Sequence, residues 1–332
     1  MTPDDAELRE LVRRFATLDL TGWDDAAFGR AREHLGWQAA VHSPEKEARR
    51  ARFPRLYRAE EYDTVLGPES GTFARHGADD VRTQVSLRAG QGDELFLALR
   101  SFLEELLGPP SLLRGPGPLL RWRGPVRLLE LERIHNAAYL RACPAEAVEK
   151  DEYRTAQWAE AEDGLGQLGY WQMVGRQPEA TDLFIPGGYT ADGWAEFEER
   201  LARTLHSVVA DFALLEPSSH FTAVIRTPRE RAYAQWTTDP AWGLEIQAAI
   251  PAEPGPTWES DLIGLGWSRP DSPDTEGRLI RHFPAFGPEE ARTAARLLVA
   301  ALRTYGVPFA DLSQSVISPP VHLLGLGLPT HR

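Results

Sequence analysis

The sequence predicts an α+β protein of two similar domains, each a mainly antiparallel sheet packed on helices. Three observations predict it. Helical periodicity and strand-like alternation take turns along the chain. Candidate strands pair across Gly-Pro and Asp-Pro turns, as hairpins do. The order helix, antiparallel strands, helix, further strands occurs twice. With 332 residues, the chain suits two domains of the common length of about 100–200 residues. We expect an N-terminal domain over 1–176, a linker over 177–190, a C-terminal domain over 191–315 and a tail over 316–332.

Four segments carry the helical signal. Asp24 is placed to cap a helix whose stripe is Ala27, Phe28, Ala31 and Leu35. A second stripe runs through Leu95, Phe96, Leu99, Phe102, Leu103 and Leu106, stopped by Gly108 and two prolines. A third helix is expected from Asp192 to Leu214, with Trp194, Phe197, Leu201, Leu205, Val208 and Phe212 on one face. The last opens at Pro288, a good first-turn residue, and ends near Tyr305-Gly306.

Between them, Leu119–Arg133 reads as a hairpin across Gly124-Pro125, and Ala232–Ile250 as another across Asp239-Pro240. His220–Arg226 is a further strand, and the stretches "FPRLYRAEEYDTV" and "VRTQVSLRAG" are weaker ones. In Leu129-Glu130-Leu131-Glu132 and Leu244-Glu245-Ile246-Gln247, apolar and polar residues alternate. Each such strand is expected to bury one face and show the other to solvent. The tail has no clear period and is expected to wrap the surface or fray.

Composition narrows the function classes. Hydrophobic residues at 42% and charged residues at 26% describe a soluble globular protein. No apolar run reaches the roughly 20 residues of a membrane-spanning helix, and the amphipathic start "MTPDDAELRELVRRF" lacks a secretory pattern. A net charge of −13 repels phosphate backbones and anionic lipid, so nucleic acid and membranes are poor partners. A single cysteine, Cys143, fits a reducing cytoplasm. Lys46 and Lys150 are the only lysines among many arginines, a bias typical of high-GC bacterial genomes.

Catalytic signatures are weak. Gly164-Leu-Gly166-Gln-Leu-Gly169 matches GxGxxG, but an acidic stretch precedes it and the strand-like "YWQMVG" follows. A dinucleotide site needs a strand before and a helix after, so the glycines read as a turn. Nine histidines show no HxH or HExxH spacing, and no metal or cofactor is expected. Gly67–Gly71, "GPESG", reads as a turn and not a nucleophile elbow. Cys143, ending the strand "AAYLRAC", reads as a buried structural thiol rather than a nucleophile. Glu130 and Glu132 project from one strand face, as acid/base carboxylates do, although any half-exposed strand shows the same pattern. Of the ten tryptophans, Trp122, Trp158, Trp236 and Trp242 fall in or beside the strand candidates. They are either core fillers or aromatic anchors of a sheet face that grips a partner segment.

The C-terminal half resembles the TY-Chap domains, actinobacterial relatives of the type III secretion chaperone fold. The resemblance rests on the aromatic strand around Trp236, the Leu244-Glu245-Ile246 strand, Leu265-Gly266-Trp267 followed by Pro270, and the Leu-rich helix ending Tyr305-Gly306-Val307. It covers roughly residues 192–315. The N-terminal half is similar to other actinobacterial domains with an early "LGW", a helix ending "LLGPP" and a strand with "RW". The resemblance implies a non-enzymatic, acidic, cytoplasmic chaperone or adaptor that binds a client segment, from a secreted or toxin-type protein. Since such chaperones act as dimers, two copies in one chain would form a monomeric pseudo-dimer. The rival readings are an immunity protein masking a basic toxin site, and an enzyme using Cys143 or Glu130/Glu132.

The tripeptide Leu-Gly-Trp recurs at 35–37 and 265–267. In each, Leu ends a helix, Gly takes the left-handed position and Trp folds back on the preceding turn. Trp37 is thus expected near Ala31 and the Arg32 stem, and Trp267 near Leu262.

Overall fold

A computed structural model describes residues 5–54, 59–157, 168–174, 190–215, 220–239, 243–270, 277–318 and 321–330. The chain divides into two compact units. One comprises Met1–Leu113, Leu119–Arg154 and Val174–Phe184; the other comprises Arg114–Pro118, Thr155–Met173 and Ile185–Arg332. Both are antiparallel sheets with helices, as the alternation predicts.

In the first unit α1 (Asp5–Ala16), α2 (Asp25–Leu35), β1 (Gln38–Ala39) and α3 (Pro44–Arg52) precede β2 (Glu60–Thr64), β3 (Gly67–Ala74) and β4 (Gln84–Gln91). Then follow α4 (Asp93–Leu107), β5 (Leu112–Gly115), β6 (Leu119–Arg123), β7 (Arg127–Ile134), β8 (Ala137–Pro144) and α5 (Ala145–Gln157). The strands lie in the order β1-β2-β3-β4-β8-β7-β6-β5. Register places Leu87, Leu140, Leu131 and Leu120 side by side across four strands. All four are fully buried, and α4 covers this part of the sheet with Phe96, Leu99 and Leu103.

The next row, on the opposite face, is Ser86, Arg141, Glu130 and Arg121. Alternation predicts solvent there. Instead Arg121 is fully buried and Glu130 is 4% exposed, because carboxylates from α5 meet the arginines of this face. Burying the charges is tolerable because each has an opposite partner. Helix α3 has no apolar stripe and escapes the sequence reading. The segment "GPESG", expected as a turn, forms the head of β3.

In the second unit β9 (Trp171–Val174) is followed by α6 (Trp194–Ser207), β10 (Phe221–Arg226), β11 (Tyr233–Asp239), β12 (Gly243–Ala249), α7 (Trp258–Gly264), β13 (Arg278–Phe283), α8 (Pro288–Thr304) and β14 (Ser313–Ser318). A five-stranded sheet has the order β13-β12-β11-β10-β14. Both units therefore have a helix, a three-stranded meander, and a returning strand beside the third strand of that meander. Each also has a strand against the first strand of its meander, β1 on β2 and β14 on β10, and they differ in that the first sheet continues beyond β8 through β7, β6 and β5.

The expected helix 192–214 is interrupted: α6 passes into a π-helical turn, Val208–Phe212. Within it Asp211 accepts from Ser207 Oγ (3.0 Å) and from the Gly117 backbone N–H (3.1 Å), while Trp171 Nε1 donates to Ser207 (3.0 Å). This buried polar chain supplies the partners a widened turn requires.

The tail is packed rather than frayed. Gln172 and His322 exchange backbone hydrogen bonds (2.9 and 2.8 Å), and Gln314 Nε2 donates to the carbonyls of Leu323 (3.0 Å) and Leu328 (2.9 Å). Leu323, Leu324, Leu326 and Leu328 are buried. The Gly-Leu alternation permits this: a Cβ on Gly325 would lie 2.2 Å from the Tyr170 ring.

Both LGW glycines are left-handed, Gly36 at φ 66° and Gly266 at φ 104°. Trp267 N–H donates to Leu262 O (3.2 Å), as expected of a helix end. Trp37 packs against Phe15, Tyr62 and Phe73, with the Phe73 ring at 5.5 Å, so its contacts extend well beyond the preceding turn. It lies flush on Gly71, where a Cβ would sit 2.5 Å from the indole. We expect Gly36→Ala to cost about 1 kcal/mol, for the left-handed φ alone. Gly71→Ala should cost about 2–3 kcal/mol through overpacking. Equal shifts in the urea midpoint would contradict this assignment.

Candidate functional site

The second unit presents a groove between α6 and α8. Both helices are amphipathic, and their inner faces carry small residues: Ala291, Ala294, Ala295 and Ala301 of α8 are all buried. Small side chains let helices approach closely. The outer seam is a groove of 650 Å3 with Ala195, Ala202 and Thr293 along it and Glu198, Glu199, Arg203, Glu289, Arg292 and Arg296 around it. Arg203 pairs with Glu199 one turn back. Three carboxylates and three guanidinium groups thus rim an uncharged strip, which suits a polypeptide segment of mixed charge better than a phosphate or a metal ion.

The sheet behind these helices has two unlike faces. Ala223, Trp236 and Ile246 form a fully buried row. On the other face, Thr222 and Thr237 hydroxyls meet at 3.2 Å, Arg278 donates to Gln247 (2.8 Å), and Arg226 donates to Ser315 (3.1 Å). That face is a ladder of cross-strand polar contacts. Tyr305, closing α8, donates its hydroxyl to Ala249 O (2.8 Å), and burial raises its pKa above the usual phenol value.

Of the anticipated aromatic anchors, Trp236 is fully buried and Trp122 is 5% exposed, with Nε1 donating to Gly108 O (2.8 Å). Both face inward and offer no surface to a partner in this conformation. Trp158 and Trp242 lie outside the described residues, as do Gly164 and Gly166. Sequence reasoning missed the helix groove because it is lined by Ala, Glu and Arg, which read as ordinary solvated faces.

The residues weighed for catalysis are engaged elsewhere. Arg121 contacts Glu130 (2.7 Å) and Glu152 (2.7 Å), and Arg141 contacts Glu130 (3.4 Å) and Glu132. Burial opposes the Arg121 charge, but Glu152 and Glu130 outweigh it and hold the guanidinium protonated. Cys143 is 5% exposed, and burial, aided by Glu130, pushes its thiol up to about 12. A thiol so placed holds almost no thiolate at neutral pH.

A second charged cluster lies on the β2–β3 hairpin. His42 Nε2 is 3.2 Å from Glu61 and Nδ1 is 2.9 Å from Glu69. Lys46 Nζ stands between the same carboxylates, at 2.8 and 2.6 Å. Those contacts hold the Glu69 carboxyl below the usual range, Lys46 contributing most. His42, Glu61 and Glu69 offer converging ligand atoms, which no spacing in the sequence announces. Lys46 supplies a cation there from the chain itself.

A family model described as "T3SS (YopN, CesT) and YbjN peptide-binding chaperone 3", TY-Chap3, matches residues 187–312. No curated protein and no solved structure matches the chain. The fold and the match together define a helix-on-sheet chaperone-like domain in the C-terminal half. Its type is TY-Chap, and the α6/α8 groove lies wholly inside the matched span.

Two outcomes test the site assignment. Arg121→Met should destabilise the protein by about 3–5 kcal/mol, because Glu130 and Glu152 lose their common buried partner; a change under about 1 kcal/mol in urea unfolding would refute the network. A colorimetric thiol reagent at pH 8 should leave Cys143 unmodified until denaturant is added. Prompt labelling of the native chain would show an accessible thiol.

Proposed function

We propose that the protein is a peptide-binding chaperone or adaptor whose α6/α8 groove holds a segment of a client. The supporting observation is the position of this groove within the span that matches a peptide-binding chaperone family. The alanine-lined strip leaves room for a backbone, and the rim pairs with client charges of either sign. The role calls for no bond-making chemistry, and such families are generally non-enzymatic. We extend the proposal to a secreted or toxin-type client, a cytoplasmic location and an actinobacterial source. The meander shared by the two units supports a monomeric pseudo-dimer in which one chain supplies what two copies supply elsewhere.

The test is capture of the client from the native host with the full chain, followed by titration of the captured segment as a synthetic peptide. Ala195 is exposed on the groove, so Ala195→Trp should fill it without disturbing the core. We expect this variant to bind the peptide at least tenfold more weakly at unchanged Tm. Unchanged affinity would place the client elsewhere.

A further inference from the structure

Residues Gln38–Arg52 form a strap over the edge of the first sheet, fastened by a short stretch of strand pairing and by charged and polar side chains. Strand β1 contributes two paired residues, Gln38 opposite Asp63 and Ala39 opposite Tyr62. The nine-residue helix α3 buries none of its side chains, and Val41 between them is 92% exposed. What holds α3 is side chains on carboxylates: Lys46 and Arg50 set their cations on Glu61, Lys46 also on Glu69, and the His42 ring bridges the same two carboxylates. These side chains keep 7–38% of their surface in solvent, so the fastening is part-buried, and salt weakens it less than it would a fully exposed pair.

The receiving side is built independently of the strap. Glu69 is left-handed at φ 52°, a conformation unusual for a non-glycine residue. Its backbone N–H donates to Asp63 Oδ1 (2.9 Å), which fixes the hairpin so that the side chain meets Glu61. Beside this edge lies a cleft of 440 Å3 with Leu11, Leu35 and Val65 in its walls; Gln38 borders it. Val65 is 67% exposed. Glu7, Glu10, Arg14 and Asp63 also line the cleft, so its mouth is charged and an apolar side chain at position 38 would meet chiefly the Leu11, Leu35 and Val65 part of the wall.

We propose that the strap is a resident occupant of a strand-edge site, displaced by a basic extended segment of a partner protein. The segment pairs with β2 as β1 does, sets its cations on Glu61 and Glu69, and inserts an apolar side chain into the cleft that Gln38 borders. Charge complementarity selects it: the receptor carboxylates attract arginine and lysine and repel acidic chains. The site lies in the first unit and stands whether or not the α6/α8 groove binds a client.

The probe is a fluorescein-labelled peptide carrying residues 38–52 of this chain, alongside the same peptide with leucine in place of Gln38. In the full-length protein, His42→Ala, Lys46→Ala and Arg50→Ala together free the site. We expect that triple variant to bind the probe at least tenfold more tightly than the unaltered protein, and the leucine peptide more tightly still. Adding Glu61→Gln and Glu69→Gln should abolish binding. Equal weak binding to the unaltered and triple-variant chains, or binding that survives loss of both carboxylates, overturns the proposal. Hydrogen exchange of the unaltered protein supplies a check independent of any variant. The α3 amides should open at least a hundredfold more readily than those of β4, and more so in 0.5 M salt; protection of α3 equal to that of β4 overturns it.

Discussion

Everything in the second unit hangs on the alanine-rich inner face of α8. Ala291, Ala294, Ala295 and Ala301 bring that helix down onto β11 and β12 and against α6 at the same time. Leu298 and Leu302 fill what remains, and Phe197, Leu201 and Leu205 of α6 complete the core. Close approach on the inside leaves a shallow channel on the outside, because the side chains along the outer seam are also short. Packing and proposed binding thus arise from the same choice of small residues.

The first unit solves its packing differently. Its leucine rows serve the α4 face conventionally, but the opposite face is built from arginine and glutamate and then covered by α5. Such a layer adds little to stability relative to an apolar one, yet removing any one member exposes the rest to an unpaired burial. The arrangement fixes the register of β6, β7 and β8, since Arg121, Glu130 and Arg141 must stay in one row. The second charge cluster, around Glu61 and Glu69, is more exposed than the Arg121 layer, with Glu69 at 38% against 1% for Arg121.

The helix capped by Asp24 and the helix opened by Pro288 were legible because their apolar stripes, starts and stops agree. The Gly124-Pro125 turn was legible because Pro confines the chain in a short loop; Pro240 of the second hairpin lies outside the described residues, while the pairing of β11 with β12 is as expected. Three features were not. Glu130 alternates with leucine whether its face meets water or a charged helix, so the buried ion layer has no local signature. Helix α3 has no apolar stripe, because charged and polar side chains hold it. The π-helical turn depends on Gly117 and Trp171, which are distant in sequence from Asp211. The LGW repeat was legible as a stop signal through its glycines. The destination of Trp37, however, was set by Gly71, some thirty residues on, whose missing side chain makes room for it. The groove was illegible for a simpler reason: a strip of alanine and threonine between charges looks like any solvated helix.

Hydrogen exchange of the full chain with and without its captured client peptide tests the central claim most directly. The account predicts added protection concentrated in Trp194–Ser207 and Pro288–Thr304, with the polar face of the five-stranded sheet unchanged. Protection confined to the sheet strands, with both helices unaltered, would contradict it.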